Sequence, residues 1–216
     1  MHSVLSIQVG SIAPLGSARV PSAFVKRPIA GPIAVGVLGL EGDQQADLTV
    51  HGGPDKAVYF YASENYPKWV AEVPKLQNAA NPGAFGENIT SIGLDEKSVS
   101  IGDVFEIGTA QMQVTQPRQP CFKLGLRFKD NSLGRIMMRT GRSGWYVRVT
   151  RPGVIQAGDE IKVIDRPSPQ WSIDRFNRFI LNRELTRDEL VELSQLPGLA
   201  EGWRAGLVQS LEEGDR

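Results

Sequence analysis

Gly102-Asp103-Val104-Phe105-Glu106-Ile107 and Gly158-Asp159-Glu160-Ile161-Lys162-Val163 carry one pattern twice. In both, Gly-Asp makes a turn and apolar residues follow at equal offsets. Phe105 and Ile107 match Ile161 and Val163, a period of two with one buried face. Two copies are too few for a repeat protein. They predict a barrel of short strands entered through tight turns. The 23 glycines and 14 prolines among 216 residues agree, since they exceed the usual combined share of about 12%.

Further strands are expected at Val4 to Val9, Ile33 to Leu40 (ending in the turn Gly39–Asp43), Ala57 to Tyr61, Ala110 to Thr115 and Trp145 to Val149. Ser63 is the expected N-cap of a helix running through Trp69 and Val70 and stopping near Pro74. The two prolines of Gln116-Pro117-Arg118-Gln119-Pro120 cannot continue a central strand. Cys121 to Phe128 predicts a helix, and Asn131 caps another that closes near Gly141.

After Arg166-Pro167-Ser168-Pro169 the character changes. Ser172 caps a helix with Ile173, Phe176 and Ile180 on one face. Thr186-Arg187-Asp188-Glu189 has the form of a capping box. Trp203, Leu207, Val208 and Leu211 mark a third helix. The expected fold is a mixed, β-rich α+β barrel over residues 1–166, then a three-helix module over 167–216. That module carries neither cysteine nor histidine, so it is expected to shape access to a site without ligating a metal.

Lys and Arg number 24, as do Asp and Glu, so bulk charge argues against a nucleic-acid binder. One cysteine excludes an internal disulfide and leaves an iron–sulfur cluster without its thiolates. Two histidines cannot complete a Cys/His zinc site. No apolar run of about 18 residues spans a membrane, and the first residues do not resemble a signal peptide. A soluble, cytoplasmic chain is expected, as monomer or homodimer. Neither a P-loop nor a G-x-S-x-G elbow occurs, and Gly36-Val37-Leu38-Gly39 is not a dinucleotide fingerprint.

Cys121 follows a proline-containing loop and opens a helix. Backbone N–H groups and the helix dipole stabilise a thiolate there, and Arg118 and Lys123 add positive charge. Such a thiolate is a nucleophile or a soft metal ligand; a small buried apolar residue is the plainer role. In His51-Gly52-Gly53-Pro54-Asp55-Lys56, two glycines let backbone N–H groups approach an anion, or simply make a hairpin turn. Gly86-Glu87-Asn88 offers polar groups to a ligand or a strand end. Lys26-Arg27 and Arg139-Thr140-Gly141-Arg142 are phosphate-contact candidates or solvated surface. A Cys121–His51 dyad would make a thiol hydrolase or transferase.

Four stretches together resemble the MOSC family: Leu38 to Asp47, Val50 to Ala57, Phe85 to Ile89, and Gln116 to Leu124. The branch resembled is the bacterial YiiM-like one, with its three-helix extension. The resemblance implies a β-barrel that binds molybdenum cofactor, with Cys121 as the thiolate ligand to the metal. It implies reduction of N-hydroxylated compounds such as hydroxylaminopurine-type bases, a detoxifying activity. By position, His51, Gly52, Gly53 and Lys56 would line the cofactor pocket, with Glu87 and Asn88 on the metal or pterin side. Arg118, with Arg142 behind it, and Arg27 would serve the pterin phosphate. His51 and Glu87 are the candidates for proton delivery. Without iron–sulfur ligands or a dinucleotide motif, electrons are expected from a separate reductase. Two other classes fit the same residues. One is a cofactor or sulfur carrier using a Cys121 persulfide. The other is a binding module whose helices dock a partner.

Overall fold

The two Gly-Asp segments are neighbours in space: Lys162 pairs with Glu106 and Val163 with Phe105, antiparallel. Gly102 (φ 87°) and Gly158 (φ 92°) take the left-handed conformation that a tight strand entry needs. The computed structural model describes residues 2–48 and 51–214. Val50 of the His51 motif lies outside the described residues, as do Met1, Thr49, Asp215 and Arg216.

In chain order the elements are β1 (Ser3–Val9), β2 (Ala13–Leu15), β3 (Val20–Ser22), β4 (Arg27–Pro28), β5 (Ile33–Gly36) and β6 (Gly39–Leu40). A short 3-10 turn at Pro54–Lys56 leads into β7 (Val58–Ala62), α1 (Asn65–Glu72) and β8 (Ile89–Ile92). Next come β9 (Val104–Ile107), β10 (Ala110–Pro117), α2 (Phe122–Phe128), α3 (Leu133–Thr140), β11 (Trp145–Arg151), β12 (Gly153–Ile155) and β13 (Lys162–Asp165). The chain closes with α4 (Ile173–Asn182), α5 (Arg187–Ser194) and α6 (Glu201–Gly214).

Eight strands form one mixed sheet in the order β13-β9-β10-β11-β7-β8-β1-β4, with β7 and β8 parallel. The sheet curls until Ser3 bridges Glu160, just ahead of β13. The result is the expected barrel-like architecture, drawn as a curled sheet. Phe60, Phe105, Met112, Val114, Trp145 and Val147 fill its interior, each fully buried. Among the described residues, no helix is long and apolar enough to cross a membrane.

Local expectations are corrected in four places. Glu64, not Ser63, is the N-cap of α1, because Ser63 turns its hydroxyl to Glu64. Ser132, not Asn131, is the N-cap of α3. The Ile33–Leu40 stretch folds back on itself, with Gly36 paired to Gly39, so the turn falls at Val37-Leu38. Finally, β10 continues through Pro117. It can do so because β9 pairs only as far as Gln113, leaving Pro117 against β11 alone, where one missing donor is tolerated.

The C-terminal helices do not stand apart. Trp171, Ile173, Phe176, Leu193 and Leu199 belong to the same buried cluster as the sheet interior. Ser172 accepts from the Arg175 N–H, and Thr186 and Glu189 form the full capping box. Those caps satisfy orphan donors locally. The packing then joins the helices to the sheet.

Candidate functional site

Cys121 is the N-cap of α2, in extended conformation (φ −109°, ψ 151°), and its carbonyl accepts from Leu124 N–H at 3.0 Å. Pro117 and Pro120 end the strand and free the chain to turn into the helix. Arg118 N–H donates to the Gly144 carbonyl at 3.1 Å, which fixes the turn against β11. The thiol, half-buried, therefore sits at a helix start that favours negative charge.

Cys121 lies where three spaces meet. A narrow recess of about 90 Å³ runs inward from it. A broad groove of about 1500 Å³ lies outside. An apolar trough of about 640 Å³ lies along Pro120, Phe122, Met138 and Leu181.

The recess is basic. Lys26, Lys56, Arg118 and Lys123 line it, against one carboxylate, Asp43. A chain of zero net charge has thus concentrated positive potential in one concavity. Asp43 is bound to Lys26 at 2.5 Å. Arg118 is buried and pairs with no carboxylate among the described residues; it donates to Met137 Sδ at 3.0 Å and lies 5.5 Å from the Tyr59 ring centre. Lys123 is also buried, with no ion pair among the described residues. Burial and then the Lys123, Arg118 and Lys56 charges hold the His51 imidazole below its ordinary range. Burial pushes the Tyr146 phenol up, against the pull of Arg118.

The fold brings His51, Gly52, Lys56, Asn88, Arg118 and Cys121 together around the recess. Gly53 faces the outer groove instead. Asn88 is held as a wall: its amide donates to Asp43 Oδ2 at 2.9 Å and accepts from Tyr59 N–H at 3.1 Å.

Three expected residues stand elsewhere. Glu87 is fully buried beneath the 83–88 loop, accepting from Tyr66 Oη and from the N–H groups of Gly83 (2.7 Å) and Phe85 (2.9 Å). It supports the loop and does not line the recess. Arg142 is bound to Glu72 and lies over the Trp69 ring at 4.6 Å, away from the recess. Arg27 is exposed on β4, and its neighbour Lys26 enters in its place.

Sequence reasoning passed over Asp43, Tyr59, Tyr146 and Gln116. Tyr59 and Tyr146 read as strand aromatics, and nothing local marks which strand face opens to a cavity.

A MOSC domain model matches residues 47–162, and a YiiM-like, 3-alpha helix domain model matches residues 171–214. A reductase of Gibberella moniliformis is 37% identical over 90% of this chain, which spans only 35% of that longer relative. Protein YiiM of Escherichia coli is 36% identical, covering 85% of this chain and 81% of its own. The crystal structure of YiiM from Geobacillus stearothermophilus matches with a TM-score of 0.82 at 32% identity, covering 98% of this chain and all of that one.

Proposed function

This chain belongs to the MOSC-domain family and carries the YiiM-like three-helix extension, and on that premise we propose that it binds molybdenum cofactor and reduces N-hydroxylated small molecules in the cytoplasm. The observation that carries this reading is the pairing of a thiol at a helix start with a recess holding four cations and one carboxylate. A soft thiolate suits the metal, and buried cations suit the phosphate of the pterin. Arg118 and Lys123, buried without carboxylate partners among the described residues, are the residues whose chemistry calls for such an anion. The residues present therefore fit the group.

When bound, the cofactor supplies the two-electron cleavage of the N–O bond, in which two protons are taken up and the oxygen leaves as water. The chain's part is to hold and orient. Cys121 ligates the metal. Arg118 and Lys123 hold the phosphate, with Lys56 beside them and Gly52 letting the backbone approach (φ 85°). Lys26 and Asn88, tied through Asp43, keep the wall of the recess in place. Of the two candidates for proton delivery, His51 reaches the recess and Glu87 does not. Electrons come from a separate reductase, and the relative named a reductase supports this redox class.

The test is expression in a cofactor-producing host, followed by molybdenum and pterin assay and by turnover with a chemical reductant. A purified chain free of molybdenum would overturn the reading. Bound metal without turnover of any N-hydroxylated compound would leave the persulfide carrier in its place.

A further inference from the structure

Gln116 is seven per cent exposed and lines the outer groove together with Cys121. Its side-chain Oε1 and Nε2 bond to no described residue, and neither is among the buried side-chain atoms left without a partner, so the amide reaches the open groove. There its two donors and its acceptor are available to a bound ligand.

Its orientation is built by an irregularity in the sheet. Along β10, Met112 and Val114 face the interior, so strict alternation would send Gln116 inward as well. The register instead shifts between Val114 and Gln116. Val114 stays opposite the core residue Val147, while Gln116 comes opposite Tyr146, which lines the groove. Directly opposed residues share a sheet face, so the shift turns Gln116 to the Tyr146 side. Thr115 pins the shifted backbone, donating to the Asp55 carbonyl at 2.6 Å with the Tyr146 carbonyl at 3.1 Å. Phe122, Tyr146 and Trp203 add aromatic surface to the same groove. Flat rings stack on such surface, and an amide pairs with an adjacent donor and acceptor on a ring edge.

We propose that Gln116 is the specificity-determining residue of the outer groove, its amide pairing with the donor–acceptor edge of a planar N-hydroxylated heteroaromatic. This rests on the reductase reading above and assigns that site its substrate-reading group.

Two substrates of one shape test it: 2-hydroxylaminopyrimidine, which has a ring nitrogen beside the N–OH group, and N-phenylhydroxylamine, which has none. In the cofactor-loaded protein, Gln116→Leu should raise KM for the pyrimidine about tenfold, with kcat little changed. For the phenyl compound KM should stay within about twofold. Calorimetric titration with the deoxygenated product 2-aminopyrimidine needs no turnover. Wild type should bind it, and Gln116→Leu about tenfold more weakly. Equal KM shifts for the two substrates would overturn the proposal, as would an aminopyrimidine affinity that is absent from wild type or unaltered by the substitution. A wild type that turns over neither substrate, yet binds aminopyrimidine through Gln116, would remove the reductase reading and leave Gln116 its ligand.

Discussion

Lys26 Nζ lies 2.5 Å from Asp43 Oδ1, and the two side chains are 7% and 2% exposed. The pair joins the residue before β4 to the turn after β6, and the carboxylate also accepts from Gly10 N–H at 2.7 Å and from Asn88 Nδ2 at 2.9 Å. One carboxylate thus ties together three segments, two of which, at Lys26 and Asn88, line the recess.

Asp43→Ala should cost about 3–5 kcal/mol, because it strands a buried ammonium. Lys26→Met should cost less, since Asp43 keeps its two neutral donors. Urea denaturation of both variants checks the order; an Asp43→Ala loss below that of Lys26→Met would contradict it.

Glu87 carries a pH prediction. Burial raises its carboxyl above the ordinary 4.5, against the opposing hydrogen bonds from Tyr66, Gly83 and Phe85. A carboxyl raised on folding gives stability that is full below the unfolded value and lost as pH climbs through the folded one. Glu87→Gln does not titrate. Its stability relative to wild type should therefore improve as pH rises from about 4.5 upward. Denaturation midpoints of the two proteins, compared across that range, check the sign.

His51 should respond to its neighbour. After burial, Lys123 is the largest influence holding its imidazole down. Lys123→Met should move His51 back toward 6.5, as read from its NMR titration. An unmoved curve would show that Lys123 does not face it.

Cys121→Ser should abolish molybdenum-dependent turnover and leave the fold intact. A hydroxyl is a hard, high-pKa ligand where a soft thiolate is wanted, and the change in volume is small. Metal content, turnover and circular dichroism on one preparation decide it; native-rate turnover would sink the ligand assignment.

Truncation at Arg166 should prevent native folding. Trp171, Ile173, Phe176 and Leu193 are fully buried in the common core. Each large side chain contributes roughly 1.5–3 kcal/mol, and a domain's whole margin is about 5–15 kcal/mol. A truncated chain that still unfolds cooperatively would show the helices to be dispensable.

The sequence alone determined what short-range geometry decides. The Thr186–Glu189 box, the Ser172 cap, the glycine turns before β9 and the helix start at Cys121 each need partners only a few residues away. The four family motifs likewise marked many of the residues that the fold gathers around the recess. Tertiary structure decided which of two adjacent side chains entered it. Lys26 rather than Arg27, Asn88 rather than Glu87, and a re-aimed Gln116 all follow from which face a segment presents once the sheet has curled. Neighbouring side chains on extended backbone point to opposite sides, so a one-residue register choice exchanges cavity for solvent or core. That choice is made by pairing with strands distant in sequence, here β1 for β4 and β11 for β10, and local sequence does not carry it.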